Sequence, residues 1–172
     1  IVSVELCINN YSIVYRNGVV KYNGQKDTCD KDTVFEDDNG IVLTGKMRVS
    51  ESVTSDTTGF YGSTIQRKEV EWIVTTNTNV VPSDAVESFD VSQEKNGSVM
   101  AWFLDADGNG KYELYIGQTG NVIVTTGSYL FSYFTNVTSV DLTYLDTSSV
   151  TDMSYMFNNC RGLINLDLSH NV

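Results

Sequence analysis

The sequence predicts a mainly β protein, in which an N-terminal β domain is followed by a β cap and the first turns of a repeat solenoid with short helices. Three observations support this fold class. The chain of 172 residues has a single Pro and 13 Gly, and residues that favour strands and tight turns are abundant. Short runs of alternating apolar and polar residues recur between turn residues. The C-terminal part also repeats its own apolar pattern at an offset of 26 residues.

Residues 1–85 are predicted to form the N-terminal β domain. The runs VSVELCI and YSIVYRN alternate in polarity, and Asn17-Gly18 before GVVKYNG is a strong hairpin signal. Further along, EVEWIVTTN alternates clearly, which indicates another strand. Glu69 and Glu71 lie on one face of that strand, where we expect them to face water.

Residues 86–126 are predicted to form the β cap, because four strand-like pieces (SFDVS, SVMAWFL, KYELYIG and NVIVTTG) follow one another between turns. Residues 127–172 are predicted to begin the solenoid. Each repeat unit is expected to contain a short strand, a turn and a short helix, and the helix of the second copy is expected to begin near Thr151. The aligned pairs are Leu130 with Met156, Phe131 with Phe157, Phe134 with Cys160, Val137 with Leu163, Val140 with Leu166, Asp141 with Asp167, and Leu142 with Leu168.

The stretch LDTSSVTDMSYMFNNCRGLINLDLS resembles the 26-residue repeat of BspA-like leucine-rich repeat proteins of bacterial surfaces. The preceding segment SVMAWFLDADGNGKYELYIGQTG is similar to the β segment that precedes the first repeat in such proteins. The residues that match the repeat are Asp146, Thr147, Ser148, Val150, Thr151, Asp152, Met153, Met156, Phe157, Cys160, Leu163, Leu166, Asp167 and Leu168.

This resemblance implies an extracellular, non-enzymatic module of the bacterial cell surface that adheres to or recognises a protein or glycan partner on a host or neighbouring cell. It also implies that the chain is the N-terminal fragment of a longer repeat protein. The alternative function is a structural subunit of an extracellular fibre or pilus-like assembly, in which residues 1–85 would contact the next subunit.

In the repeat strands, Val140, Leu142, Leu166 and Leu168 are expected to point into the core. Asp141 and Asp167 would then project from the exposed face of the repeat sheet, one repeat apart, as a binding face. The alternative is that these two aspartates are simply solvated strand residues.

The turn DADGNGKYEL carries the clearest chemical signal. Asp105, Asp107 and Asn109 alternate, and Glu113 follows at the ninth position, so side-chain oxygens and the carbonyl of Lys111 could bind Ca²⁺. The bidentate Glu of an EF-hand is missing, because position twelve is Ile116. The alternative is an ordinary hairpin turn, since Asp-Gly and Asn-Gly are common turn sequences.

The cysteines and the charge limit the remaining classes. Of the three cysteines, Cys7 and Cys29 are predicted to form a disulfide and Cys160 to stay a buried thiol; the alternative for Cys7 and Cys29 is two buried free thiols. A net charge of -11 argues against nucleic-acid binding, and no apolar run is long enough for a membrane span. The chain has a single histidine, His170, which argues against a catalytic triad, and carboxylate pairs leave a polysaccharide-acting enzyme as a third class.

Overall fold

The structure is a computed structural model that describes the backbone of residues 3–8, 11–16, 19–25 and 41–42 and the full residues 45–169. The chain divides into two compact units, Ile1–Thr44 and Gly45–Val172. The sequence pattern predicts that the N-terminal domain ends at residue 85, whereas the first compact unit ends at Thr44. Residues 45–85 belong to the second unit because their one long strand is hydrogen-bonded inside the sheet of that unit.

The first unit contains a four-stranded antiparallel sheet in which the strands follow their chain order. Strand β2 pairs with β3 with a register irregularity between Ser12 and Ile13. The strands are β1 (Ser3–Ile8), β2 (Tyr11–Arg16), β3 (Val19–Gln25) and β4 (Ile41–Val42). The alternating runs of the sequence therefore form the hairpins that their polarity predicts.

The second unit is built on a mixed five-stranded sheet and a two-stranded parallel sheet. Its strands are β5 (Val70–Thr76), β6 (Glu87–Asp90), β7 (Met100–Leu104), β8 (Tyr112–Gly117), β9 (Val122–Ile123), β10 (Ser139–Asp141) and β11 (Leu145–Asp146). The large sheet has the order β10-β5-β8-β7-β6, in which β5 is parallel to both of its neighbours and the remaining pairs are antiparallel. Strands β9 and β11 form the small sheet. The predicted mainly β class is confirmed.

Aromatic rings fill the core on one side of the large sheet. Phe60, from the single-turn 3₁₀ helix Phe60–Gly62, lies 6.4 Å from the ring of Phe131 and 5.9 Å from that of Phe134. All three side chains are fully buried. Each such ring removes a large apolar area from water, so this cluster joins the repeat region to the sheet by the hydrophobic effect.

The two copies of the 26-residue unit lie side by side and repeat their backbone geometry. The ring of Tyr129 stacks on that of Tyr155 at 4.9 Å, and Phe131 stacks on Phe157 at 5.7 Å. Alternate amides of the first copy donate to carbonyls of the second: Gly127 to Asp152 (2.8 Å), Tyr129 to Ser154 (3.1 Å), Phe131 to Met156 (2.9 Å) and Tyr133 to Asn158 (2.7 Å).

The predicted short helices are wrong. The described residues contain two single-turn 3₁₀ helices, Phe60–Gly62 and Arg67–Glu69, and residues 128–133 and 154–159 form turns. Two tyrosines of the first copy, Tyr129 and Tyr133, have φ of 57° and 62°, and their counterparts Tyr155 and Asn159 have 58° and 59°. A left-handed residue every fourth position interrupts a right-handed helix, and the amides that a helix would use internally bind the neighbouring copy instead.

The predicted inward positions of the second copy are also wrong. Leu142 is buried and Val140 packs against the core, as expected, but Leu166 and Leu168 are 37% and 40% exposed. In the first copy β10 pairs with β5, so Val140 packs against the core and Leu142, which follows the strand, is buried. Residues 163–168 form no strand, so the same alternation has no sheet to pack on.

Candidate functional site

The turn between β7 and β8 is held by hydrogen bonds from its own acidic and amide side chains. Asp105 Oδ2 accepts from the Gly110 amide (3.2 Å), and Asp107 Oδ1 accepts from the Asn109 amide (3.1 Å). Asn109 Oδ1 accepts from the Lys111 amide at 2.7 Å. The bonds of Asp107 and Asn109 to amides two residues further along are the usual chemistry of these residue types in turns. The spacing of Asp and Asn residues that suggests a calcium site is therefore partly explained by the hydrogen bonds of the turn.

Three carboxylates nevertheless meet at this turn. One oxygen from each of Glu71, Asp107 and Glu113 lies within 4.8 Å of the other two. Glu113 is buried, Glu71 is half-buried and Asp107 is exposed. Among the residues that the structure describes, no Lys or Arg side chain forms an ion pair with any of them. Like charges so close together repel one another, so a cation or a shared hydrogen-bond donor stabilises the arrangement.

The side-chain amide of Asn109 is the donor that lies among these carboxylates. Its Nδ2 donates to Asp107 Oδ2 (2.9 Å) and lies 3.2 and 3.4 Å from the two oxygens of Glu71. The carboxylate of Glu113 accepts a long bond from the Ala106 amide at 3.4 Å. The three acidic side chains are thus aimed at one point even without an ion.

Glu71 reaches the cluster because of a bulge in β5. The β5–β8 register is Val70 with Tyr112 and then Trp72 with Glu113, which leaves Glu71 as an extra residue. A bulge re-aims the side chain of its extra residue, here toward Asn109. The alternation of EVEWIVTTN predicts a water-facing Glu71, and no local signal in the sequence reports the bulge.

The five predicted ligands are therefore only partly brought together. Asp107 and Glu113 join the cluster, whereas Asp105 does not. Its Oδ2 accepts from the Gly110 amide, and its Oδ1 is buried without a hydrogen-bond partner among the described residues. Asn109 directs its NH₂ group, not its oxygen, at the carboxylates, because its oxygen caps the Lys111 amide. Lys111 itself is exposed.

An open sheet face adjoins the acidic cluster. Trp72 is 45% exposed, and it is the register partner of Ser139 in β10 on one side and of Glu113 on the other. On the same face, Tyr115 stacks in parallel on Trp102 with 5.8 Å between ring centroids. Partial burial, and then the nearby Glu113 carboxylate, raise the pKa of Tyr115, so its hydroxyl stays protonated at neutral pH.

The predicted binding-face aspartates are both exposed, but only one lies on a strand. Asp141 belongs to β10 opposite Val74, and its Oδ1 accepts from the amide (3.0 Å) and hydroxyl (2.7 Å) of Thr143. Asp167 accepts from the Ser169 amide at 2.9 Å in a segment without strand structure. Asp141 therefore shares the open sheet face with Trp72.

Among the cysteines, the structure describes the side chain of Cys160 alone. Its thiol is free and half-buried, and its Sγ donates to the Phe131 carbonyl at 3.0 Å. Burial raises the pKa of this thiol. The side chain of Cys7, the whole of Cys29 and His170 lie outside the described residues, so the disulfide stays a prediction.

Known proteins offer no further guide to this arrangement. Within the described ranges, no helix has the length and apolar character needed to cross a bilayer. Comparison of the chain with protein-family models, curated proteins and solved structures finds no match.

Proposed function

We propose that this chain is a non-enzymatic, extracellular module of a bacterial cell surface, built on BspA-like leucine-rich repeats, that recognises a protein or glycan partner on a host or neighbouring cell. The observation that carries the proposal is the 26-residue register of hydrogen bonds and ring stacks between the two repeat copies. Repeats that bury their apolar faces against the next copy are the basis of a solenoid.

The outer side of the second copy supports this interpretation. Its amides at Met153, Tyr155, Phe157 and Asn159 are the counterparts of the four donors in the first copy. None of the four has a hydrogen-bond acceptor among the described residues. The side chain of Tyr155 is also 58% exposed, although its ring stacks on that of Tyr129 in the first copy. A further unit of the same kind could pair there in the same way, and a third unit is what a leucine-rich repeat solenoid requires.

Recognition is assigned to the open sheet face around Trp72. A half-exposed indole offers a large, rigid contact area, and aromatic residues of this kind are enriched at binding hot spots. Asp141 and the hydroxyl of Tyr115 supply polar groups on the same face. A flat aromatic centre with polar groups around it suits a glycan or a protein surface.

The recognition proposal is tested by binding to an array of immobilised glycans and to fixed epithelial and bacterial cells. We expect the full chain to bind at least one of these, and Trp72→Ala to reduce the binding about tenfold or more, as truncation of a hot-spot aromatic does. Tyr155→Ala, which removes an exposed aromatic outside the sheet face, is the matched control. Equal loss in both variants, or no binding by the wild type, contradicts the proposal.

The fibre-subunit alternative is favoured by one observation, the edge strand β10. It pairs with β5 on one side and with no strand of the described residues on the other. Unpaired edges accept strands from other chains. Sedimentation at increasing protein concentration separates the two functions, because a fibre subunit forms growing oligomers and a recognition module keeps a constant mass.

We further propose that the acidic cluster binds Ca²⁺ and braces the β7–β8 turn beside Trp72. Glu71, Asp107 and Glu113 would supply carboxylate oxygens, which are the ligands that Ca²⁺ prefers. The Asn109 amide would rotate so that its oxygen, instead of its NH₂ group, faces the ion. With few protein ligands, the affinity falls in the weak range of extracellular modules, on the order of 10⁻⁴ to 10⁻³ M.

Calcium at a few times its dissociation constant should stabilise the protein by about 1 kcal/mol. For a chain of this size, that raises the melting temperature by about 2–4 °C relative to a chelator. Asp107→Asn should abolish the difference, whereas Asp84→Asn, an identical charge change at an exposed position, should preserve it. Identical melting curves of the wild type in calcium and in chelator would show that the turn is only a turn.

A further inference from the structure

A cavity lies in the Gly45–Val172 unit, lined by residues that belong neither to the calcium turn nor to the sheet face. Its volume is about 410 Å³, and its walls come from residues 48–53, 58–59 and 61–62, with Arg67 contributing from the following 3₁₀ helix. That volume is within the range of small-ligand sites and is close to its lower end. It would accommodate one sugar ring better than an extended peptide.

Arg67 is a buried cation that forms no ion pair with the residues the structure describes. Its side chain is 2% exposed, and it lies between the rings of Phe60 (5.4 Å) and Phe134 (4.8 Å). Its Nη1 donates to the carbonyls of Ser132 (2.9 Å) and Leu130 (3.4 Å). Carbonyl dipoles and aromatic faces offset only part of the cost of burying a full charge.

The other two nitrogens of Arg67 have no acceptor within the described part of the chain. Nε is buried without a hydrogen-bond partner, and no described residue accepts from Nη2. No carboxylate of the described residues forms an ion pair with this guanidinium. Desolvation lowers the pKa of Arg67 to about 10, so the group remains a cation at neutral pH. An anion on the cavity side would supply the missing charge and acceptor.

The remaining wall adds a second guanidinium and several hydroxyls. Arg48 lies over the ring of Tyr61 at 5.4 Å, and its Nη1 donates to the Ser92 carbonyl at 3.2 Å. The Tyr61 hydroxyl donates to the Arg48 carbonyl at 2.5 Å, and this bond holds the wall in place. The backbone of Tyr61 has a φ of 49°, a left-handed conformation that is strained for a residue with a side chain. Hydroxyl-bearing residues Ser50, Ser52 and Thr58 line the cavity, and Glu51 is the one acidic residue among the lining residues.

We propose that this cavity binds a carboxylate-bearing sugar residue, with the carboxylate on Arg67 and the sugar hydroxyls on the serine and threonine side chains. Guanidinium groups match carboxylates in geometry and charge, and hydroxyl-lined walls match a polyol. An acidic peptide side chain would use the guanidinium but leave the hydroxyls without partners. The proposal does not depend on the sheet-face function, because Trp72 and Asp141 are not among the lining residues.

The test is a calorimetric titration of the full chain with sodium glucuronate, and with glucose, N-acetylglutamate and inorganic sulfate as comparison ligands. We expect glucuronate to bind at millimolar concentration or below, and each comparison ligand to bind at least about tenfold more weakly. Binding of sulfate or N-acetylglutamate as tight as that of glucuronate overturns the sugar assignment. Failure of glucuronate to bind overturns the proposal.

Two variants locate the binding site. Glu51→Gln removes the one acidic group at an exposed position of the wall, so it should tighten glucuronate binding about two- to fivefold without affecting the fold. Arg67→Lys keeps the charge but loses the planar fork, and should weaken binding about tenfold or more. Unchanged affinity in Glu51→Gln contradicts this site even if Arg67→Lys proves too unstable to titrate.

Discussion

Replacing Phe131 with alanine should lower the free energy of unfolding by about 3–5 kcal/mol, as expected for the loss of a fully buried aromatic side chain. The ring is fully buried, it packs between Phe60 and Phe157, and both neighbouring rings are stacked on it. Its removal leaves a cavity at the junction of the sheet core with the repeats, where these rigid rings cannot collapse inward. Urea unfolding followed by tryptophan fluorescence measures the loss.

Two further variants give this measurement its controls. Phe157→Ala should cost less than Phe131→Ala, because Phe157 is only half-buried although it occupies the equivalent position one repeat later. Ile164→Ala, at a side chain that is 87% exposed, should change stability by less than about 0.5 kcal/mol. Equal losses at Phe131 and Phe157 would contradict the packing described for the two copies.

Replacing Arg67 with alanine should lower the free energy of unfolding by about 3 kcal/mol, since it removes a charged donor from two buried carbonyls and empties the space between two rings. The carbonyls of Leu130 and Ser132 lose the Nη1 donor, and the faces of Phe60 and Phe134 lose their cation. Part of this loss is offset because the desolvated charge itself disappears. The measurement is again the unfolding free energy in urea.

Arg67→Met separates the packing contribution from the charge. Methionine keeps most of the apolar stem and fills irregular gaps, so it should destabilise the protein less than alanine does. Lys68→Ala, at the exposed neighbouring position, should leave stability almost unchanged. If methionine and alanine at position 67 are equally destabilising, the hydrogen bonds to the repeat carbonyls, and not the packing, dominate.

Local patterns predicted the parts of this protein that local physics controls. Alternating runs such as EVEWIVTTN became strands, and the Gly- and Asp-rich turn at residues 105–113 formed where its residues predict it. The 26-residue offset is reproduced by ring stacks and backbone bonds between the copies. These features depend on the alternation of side chains along a strand and on the residue types found in turns, and both are determined by a few adjacent residues.

Long-range contacts decided the rest. The extra residue in β5 brings Glu71 to the acidic cluster, and it depends on pairing with a strand some forty residues further along the chain. Leu142 and Leu168 hold the same place in the repeat, yet only the first is buried, because β5 lies beside the strand of the first copy. The short helices predicted for the repeats did not form, because backbone amides of the first copy bind carbonyls of the second instead. Burial and backbone pairing are properties of the assembled fold, so the sequence alone determined which residues could occupy these positions, and the tertiary structure determined which of them did.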